Sequence, residues 1–471
     1  MSSAKRELLV IGAGPGGYPA AFLAADKGVK TAIIDPEPNP GGVCLYRGCI
    51  PTKTVLHASK VMREAKELAQ WGVEFSDPVI HPEMIRKKKD RVVSQITGGV
   101  GRLCKQRGIE YIQGRARFIN SNTVRVVKND GTEEEVAFEH AIIATGSSPA
   151  WIPGIPHDSP HIITSAQALN IEEIPESMLV VGGGYIGLEL GLFYSQLGTG
   201  VSVVELLDSI LPSADSDLVR VFSNSTRRRF KEIMTGTKVV SVAQTATGAE
   251  VTFEKDEEQF VKEYSKVLVT IGRKPNSSDL GLENTGVAVD ERGFIKTDRY
   301  LKTAEDNIFA IGDVIGGAML AHKATYEGKL AVKNIIGKSM ECSPSSIPAV
   351  LFTDPEVAWV GLTEKQAKEQ GIDAAVSRFQ WGASGRAVTI GRTDGVTKLI
   401  IEKNSGKVLG MGIVGSGAGE MIAEGALALQ MGATASDIAE TIHPHPTLSE
   451  TVMEAAEMYF GLCTHMYVQK R

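Results

Sequence analysis

Leu8-Leu9-Val10-Ile11-Gly12-Ala13-Gly14-Pro15-Gly16-Gly17 begins as four apolar residues and breaks into a glycine turn. The apolar run reads as a short buried strand, and the small residues from Tyr18 to Lys27 read as a helix. A second apolar strand, Thr31 to Ile34, ends in Asp35. In a strand, turn, helix, strand unit of this kind Gly12 permits the turn and Gly14 lets a pyrophosphate approach the backbone. Gly17 lets the helix pack closely on the sheet. Asp35, 23 positions after Gly12, is placed to take ribose hydroxyls. The whole pattern recurs. Met178 to Val181 leads into Gly182-Gly183-Gly184-Tyr185-Ile186-Gly187, a helix to about Leu197, and a strand Val201 to Val204 ending in Glu205, again 23 positions after the first glycine. Two such units imply two dinucleotides held at once, and hydride relay between a flavin and a nicotinamide is the simplest use of such a pair.

Just beyond the first unit stands Gly41-Gly42-Val43-Cys44-Leu45-Tyr46-Arg47-Gly48-Cys49-Ile50-Pro51-Thr52-Lys53. Gly48 ends a turn, and Pro51 suits a first helical turn because its missing N–H goes unused there. The spacing predicts a helix over Thr54 to Gln70, with Cys49 at its N-terminus, where the positive end of the dipole favours thiolate. Cys44 and Cys49 are close enough to close a small disulfide ring, and only one of them is electrostatically activated. Such asymmetry suits a catalytic redox pair better than a structural staple.

At 471 residues the chain is too long for one core and is expected to form about three domains. Hydrophobic content of 42% with 23% charge is that of an ordinary globular protein, and no apolar run is long enough to span a bilayer. No membrane association is expected. Met1 to Glu7 passes straight into a strand without a signal-peptide core, so a bacterial cytoplasmic location is expected. Five cysteines do not make a disulfide framework; Cys104, Cys342 and Cys463 are read as buried or incidental thiols, and no metal site is expected. A net charge of −6 argues against nucleic acid. The basic runs Arg86-Lys87-Lys88-Lys89 and Arg227-Arg228-Arg229 are read as solvated helix faces.

Further along, Ala141 to Gly146 is a strand and small-residue turn where the chain leaves its first domain, and Trp151 to Pro156 is a linker. Gly272-Arg273-Lys274-Pro275-Asn276 follows another strand, and Ile308 to Asp313 is a buried strand closed by an acid able to meet a second polyol. From about Pro348 an α+β module begins, with no glycine fingerprint of its own. It ends in Ile442-His443-Pro444-His445-Pro446-Thr447-Leu448-Ser449-Glu450. The prolines disfavour helix before them, and Glu450, opening a helix, is placed to orient His445 as a base.

Taken together, these motifs resemble the class I flavoprotein pyridine nucleotide-disulfide reductases from end to end, and most nearly their NAD-linked branch acting on dihydrolipoamide. The resemblance implies two Rossmann-like α/β domains, a central domain and a C-terminal α+β dimerisation domain. The expected boundaries are 1–149 for FAD and the redox pair, 150–275 for NAD, 276–347 for the central domain and 348–471 for the interface. It further implies that Cys44 attacks substrate, Cys49 contacts the flavin, and Lys53 lies near the flavin edge, paired with Glu189. Gly12, Gly14, Gly17, Asp35, Gly42, Ala116, Thr145 and Gly146 would hold the adenine half of FAD and its pyrophosphate, with Asp313 and Ala321 toward the ribitol and ring. Gly182, Gly184, Gly187, Glu205, Val239, Gly272 and Arg273 would line the NAD site. His445 and Glu450 would act in the neighbouring subunit's site, so a homodimer is expected, with lipoyl domains of acyltransferase components or a glycine cleavage carrier protein as partners. Tyr46, Thr52 and Pro444 depart from the usual family residues, and Asp35 stands where Glu is commoner. Glu205 favours the 2′-hydroxyl of NAD over a 2′-phosphate and weighs against an NADPH-linked glutathione-type reductase. A mercuric-type reductase carries a vicinal cysteine pair at its C-terminus, where this chain has Cys463 by itself. A non-catalytic flavoprotein subunit would have no need of Cys44, Cys49, Lys53, His445 and Glu450 together.

Overall fold

The computed structural model describes residues 6–344 and 346–467; the opening Met1–Lys5, read above as leading directly into a strand, lies outside them. Leu8, Leu9, Val10 and Ile11 are buried without a break, which fits a strand covered on both faces. Strand Arg6–Ile11 pairs in parallel with Thr31–Asp35 on one side and Glu133–Ile143 on the other. Thr31–Asp35 pairs in parallel with Glu110–Asn120, completing that flank. The two long strands run on past this sheet and close an antiparallel meander with Thr123–Lys128, whose burial alternates as a one-faced sheet requires.

The second unit repeats the plan. Strands Glu232–Met234, Gly200–Val204, Ser177–Val181, Lys266–Val269 and Ile162–Thr164 form one parallel sheet in that order. An antiparallel meander of Lys238–Gln244, Ala249–Lys255 and Glu258–Tyr264 leads back into it. In each unit a helix, Gly17–Asp26 or Tyr185–Gln196, follows the glycine turn.

The stretch 276–347, expected as a domain of its own, does not build a separate core. Ile308–Ala310 adds in parallel to Glu133–Ile143, and Leu280, Val287, Ile295 and Val314 share a core with Leu9, Ile34 and Phe138. A three-residue strand of buried apolar side chains has no sheet of its own to join. The first unit is therefore discontinuous, with the second inserted between its strands.

The C-terminal module is a five-stranded antiparallel sheet ordered Ala349–Leu351, Glu356–Gly361, Val408–Gly415, Val396–Glu402, Ala374–Gln380. Helices Ala418–Met431, Ala435–Glu440 and Glu450–Phe460 accompany it, their apolar residues joining the strands in one core. The module is tied to the second unit by Lys398, 1% exposed, whose ammonium lies 2.8 Å from Asp215 and 2.9 Å from Asp217 and also meets Glu364. Two residues of the basic runs turn inward, against expectation. Lys89 is buried and donates to the Leu169 carbonyl at 2.8 Å, and Arg229 donates to the Asp354 carbonyl. No helix among the described residues is long and apolar enough to cross a membrane.

Candidate active site

Helix Cys49–Glu67 starts on the second cysteine of the pair, one turn earlier than the apolar pattern alone marked. Thr52 anchors that first turn by donating its hydroxyl to the Gly48 carbonyl at 2.7 Å, a bond serine also makes, so this departure from the family pattern is conservative. Tyr46 is likewise accounted for: its hydroxyl donates to the Asn39 carbonyl at 3.0 Å and accepts from the Asn39 N–H at 3.1 Å, clasping the loop ahead of the cysteines.

All five cysteines are free thiols, and Cys44 donates a hydrogen bond to Cys49. That bond, with the Lys53 ammonium behind it, overcomes burial and pulls Cys49 down from 9.0 to about 7. The same bond and burial push Cys44 upward. The helix N-terminus adds to the preference for charge at Cys49. Lys53, one turn on, is fixed by the Glu189 carboxylate at 2.8 and 3.0 Å, and its ammonium lies 4.7 Å from the Phe352 ring centre. Glu189 is 2% exposed and also accepts the Phe352 N–H at 2.9 Å. Three parts of the chain thus meet at one lysine.

Both cysteines, Lys53 and Glu189 line a cavity of about 850 Å³ that also takes in Gly12, Gly14, Asp35, Gly42, Ala116, Thr145, Gly146, Asp313 and Ala321. Its volume is at the upper end of ordinary ligand sites, roughly 300–1,000 Å³. A Cβ at Gly42 (φ +56°) would meet the Gly14 Cα at 2.5 Å, and one at Gly12 (φ +99°) would meet the Ala144 carbonyl oxygen at 2.3 Å. Gly17 stands behind the turn, against Gly12. The start of helix Gly17–Asp26, the start of Cys49–Glu67 and Ala321 at the head of Ala321–Ile335 reach this space, a setting for phosphate and flavin oxygens. Asp35 accepts the Ala13 N–H at 2.7 Å and the Glu37 N–H at 2.9 Å, and burial pushes its carboxyl up to about 6. The residues present fit FAD.

At the second turn the same construction holds. Glu205 accepts the Gly183 N–H at 2.7 Å and the Leu207 N–H at 2.9 Å, matching Asp35 bond for bond. Gly182 has φ +106°, Gly187 packs on it, and Gly184 faces open space at the helix start. These fit the adenosine half of NAD. Val239 is half-buried in the neighbouring meander, and Gly272 (φ +124°) follows the sheet strand Lys266–Val269. Arg273, expected with them, is carried elsewhere: Arg273–Pro275 pairs antiparallel with Ser147–Pro149 between the two units. Its guanidinium donates to the Ser147 hydroxyl at 2.6 Å and lies 3.8 Å from Asp313, in the wall of the large cavity. Ser147, which also donates to Asp313, was missed from sequence, although it directly follows the Thr145-Gly146 turn. Arg47 and Tyr185, which also line the cavity, stand inside the cysteine and second glycine motifs without being singled out, and no local motif marks Phe352.

His445 is not among the described residues lining this chain's cavity, and its side chain is 72% exposed. Its Nδ1 is 2.8 Å from Glu450, whose other oxygen accepts the Thr447 N–H at 2.7 Å. Against the burial that would raise it, these contacts hold the Glu450 carboxyl below its usual range. With Nδ1 so engaged, Nε2 is left to exchange a proton. His443 is turned away, between the Thr441 carbonyl and Glu424.

The chain is similar to known proteins over nearly its whole length. A family model described as pyridine nucleotide-disulphide oxidoreductase matches residues 6–328, and the dimerisation domain of that family matches 347–456. The dihydrolipoyl dehydrogenase of Haemophilus influenzae is 44% identical over 462 residues, covering 98% of this chain and 96% of its own length. That of Vibrio parahaemolyticus is 45% identical over 463 residues, covering 98% and 97%. Among solved structures, LpdA of Mycobacterium tuberculosis superposes with a TM-score of 0.89 at 28% identity, covering 96% of this chain and 99% of that one. RclA of Escherichia coli, a flavoprotein disulfide reductase, gives 0.84 at 28% identity over 96% and 99%. Sharing both family domains, the paired nucleotide folds and full-length relatives, this chain belongs to the pyridine nucleotide-disulphide oxidoreductases.

Proposed function

We propose that the chain oxidises dihydrolipoamide on lipoyl domains and passes the electron pair to NAD+. The observation that carries this is the polarised pair: Cys49 low and held by Lys53, Cys44 high, in a cavity shared by two dinucleotide folds. The full-length relatives at 44–45% identity support the substrate. The enzyme is an NAD-linked flavoprotein disulfide oxidoreductase, and FAD, when bound, supplies the two-electron carrier between the thiols and NAD+.

In the first half-reaction His445 of the partner subunit removes a proton from one substrate thiol, through the Nε2 that Glu450 leaves free. The substrate thiolate attacks Cys44 of the Cys44–Cys49 disulfide. Attack there expels Cys49, and the thiol of lower pKa leaves faster. The second substrate thiolate then displaces Cys44 from the mixed disulfide, so the substrate departs as the cyclic disulfide and the pair remains as two thiols. Lys53 stabilises the Cys49 thiolate, and Glu205 selects the 2′-hydroxyl of NAD+. The lipoyl domains of 2-oxo acid dehydrogenase acyltransferases or of the glycine cleavage carrier protein are the macromolecular substrates. A bacterial cytoplasm is the proposed location, a reducing compartment in which the thiols of Cys104, Cys342 and Cys463 are at home.

The test sets NAD+ reduction by dihydrolipoamide beside NADPH oxidation by glutathione disulfide. Fast NAD+-linked turnover that Cys44→Ser abolishes while flavin stays bound is the expected result. Turnover on glutathione disulfide alone, or normal lipoamide activity in Cys44→Ser, would overturn the assignment.

A further inference from the structure

Away from the redox centre, the last helix and the chain that follows it gather four side chains of three chemical kinds. Glu454 and Glu457 come from helix Glu450–Phe460, and Cys463 and His465 from the turn after it. Glu454 is 2% exposed; one of its oxygens accepts the Cys463 thiol at 2.8 Å, and the other meets His465 Nδ1. Ligand atoms of Glu454, Glu457 and Cys463 all lie within 4.8 Å of one another. Independently, Glu457 Oε2 is shut off from solvent and makes no hydrogen bond among the described residues, with the Thr464 N–H near the same carboxylate. A buried carboxylate oxygen without a donor calls for one.

The other clustered acids of the chain show the contrast. Asp215, Asp217 and Glu364 also converge, but the Lys398 ammonium already sits among all three, so that group is complete. No lysine or arginine serves Glu454 and Glu457 among the described ion pairs.

We propose that Glu454, Glu457, Cys463 and His465 form a binding site for a zinc-class divalent cation, where the sequence reading expected no metal. One sulfur, one imidazole nitrogen and two carboxylates suit a borderline ion in a four-coordinate site. Donors around tetrahedral zinc stand roughly 3.5 Å apart, so Glu454, Glu457 and Cys463 close by side-chain adjustment, and His465, which reaches the group through Glu454, swings in to complete it. The cation replaces the proton that Cys463 gives to Glu454, binds the imidazole in its neutral form and supplies the partner that Glu457 Oε2 lacks. Binding therefore releases protons and strengthens as pH rises. It pins the turn 461–465 to the helix that begins at Glu450, the residue orienting His445.

The experiment uses the full-length flavin-loaded protein carrying Cys44→Ser and Cys49→Ser, so that the redox thiols cannot bind the probe. Co2+ is titrated first, followed by Zn2+ in competition with a chromophoric chelator. One Co2+ per chain with tetrahedral ligand-field bands and a thiolate charge-transfer band is expected, displaced by Zn2+. Adding Cys463→Ser removes the charge-transfer band, and Glu457→Gln, which keeps the helix intact, weakens Zn2+ at least ~100-fold. Absence of tight Co2+ binding, or binding that both substitutions leave unchanged, would overturn the site.

Discussion

At Cys49 three influences act in one direction: the Cys44 thiol donates to it, Lys53 stands behind it, and it opens a helix. Its depressed value sets a pH dependence. In the reduced protein thiolate absorbance should rise with a midpoint near 7, and any stability owed to that thiolate is present above 9.0 and lost as pH falls through 7. Lys53→Met removes the cation and should raise the midpoint by roughly one unit or more. A midpoint that stays put would show that Lys53 does not tune the thiol. Glu205 carries the second residue-scale prediction. Arg at this position turns a carboxylate already bonded to the glycine turn into a cation, and Glu205→Arg should raise KM for NAD+ at least ~10-fold with FAD retained. Steady-state kinetics at saturating dihydrolipoamide measure it, and an unchanged KM would refute the role of Glu205.

Among the elements, turns and packing joints divide what sequence reveals from what it hides. Both glycine turns, their acids and the helix start at Cys49 were legible because each depends on neighbours within a few dozen residues. The return of Ile308–Ala310 to the first sheet was not, since its partner strand lies far back in the chain and three apolar residues carry no address. The destination of Arg273 was hidden for the same reason, being set by its pairing with Ser147–Pro149. Tyr46, legible only as a departure, turned out to hold a loop. No motif marks Lys398, yet it is 1% exposed among three carboxylates. Lys398→Met leaves Asp215 without its cation, with Arg378 still serving Asp217 and Glu364, and should cost about 3 kcal/mol, read as a fall in chemical denaturation midpoint. A loss below about 1 kcal/mol would mean the joint contributes little.

For the molecule as a whole, the arrangement of the base sets the unit of function. Within one chain the oxidant pair sits in an interior cavity while His445 stands 72% exposed on a module that matches the family's dimerisation domain. In the mechanism we propose, a twofold dimer would bring each module to the other chain's cavity and make two composite sites from two incomplete ones. The discontinuous first unit, the inserted second unit and the Lys398 joint then serve one end, holding cavity and module in fixed relation within each chain. The most direct measurement is complementation in a purified heterodimer of Cys44→Ser and His445→Gln chains. Each parent homodimer should be nearly inactive. The heterodimer holds one site with both an intact Cys44 and an intact His445, and should recover about half of the wild-type activity per dimer. A heterodimer as inactive as its parents would place both groups in the same subunit's site and contradict the account.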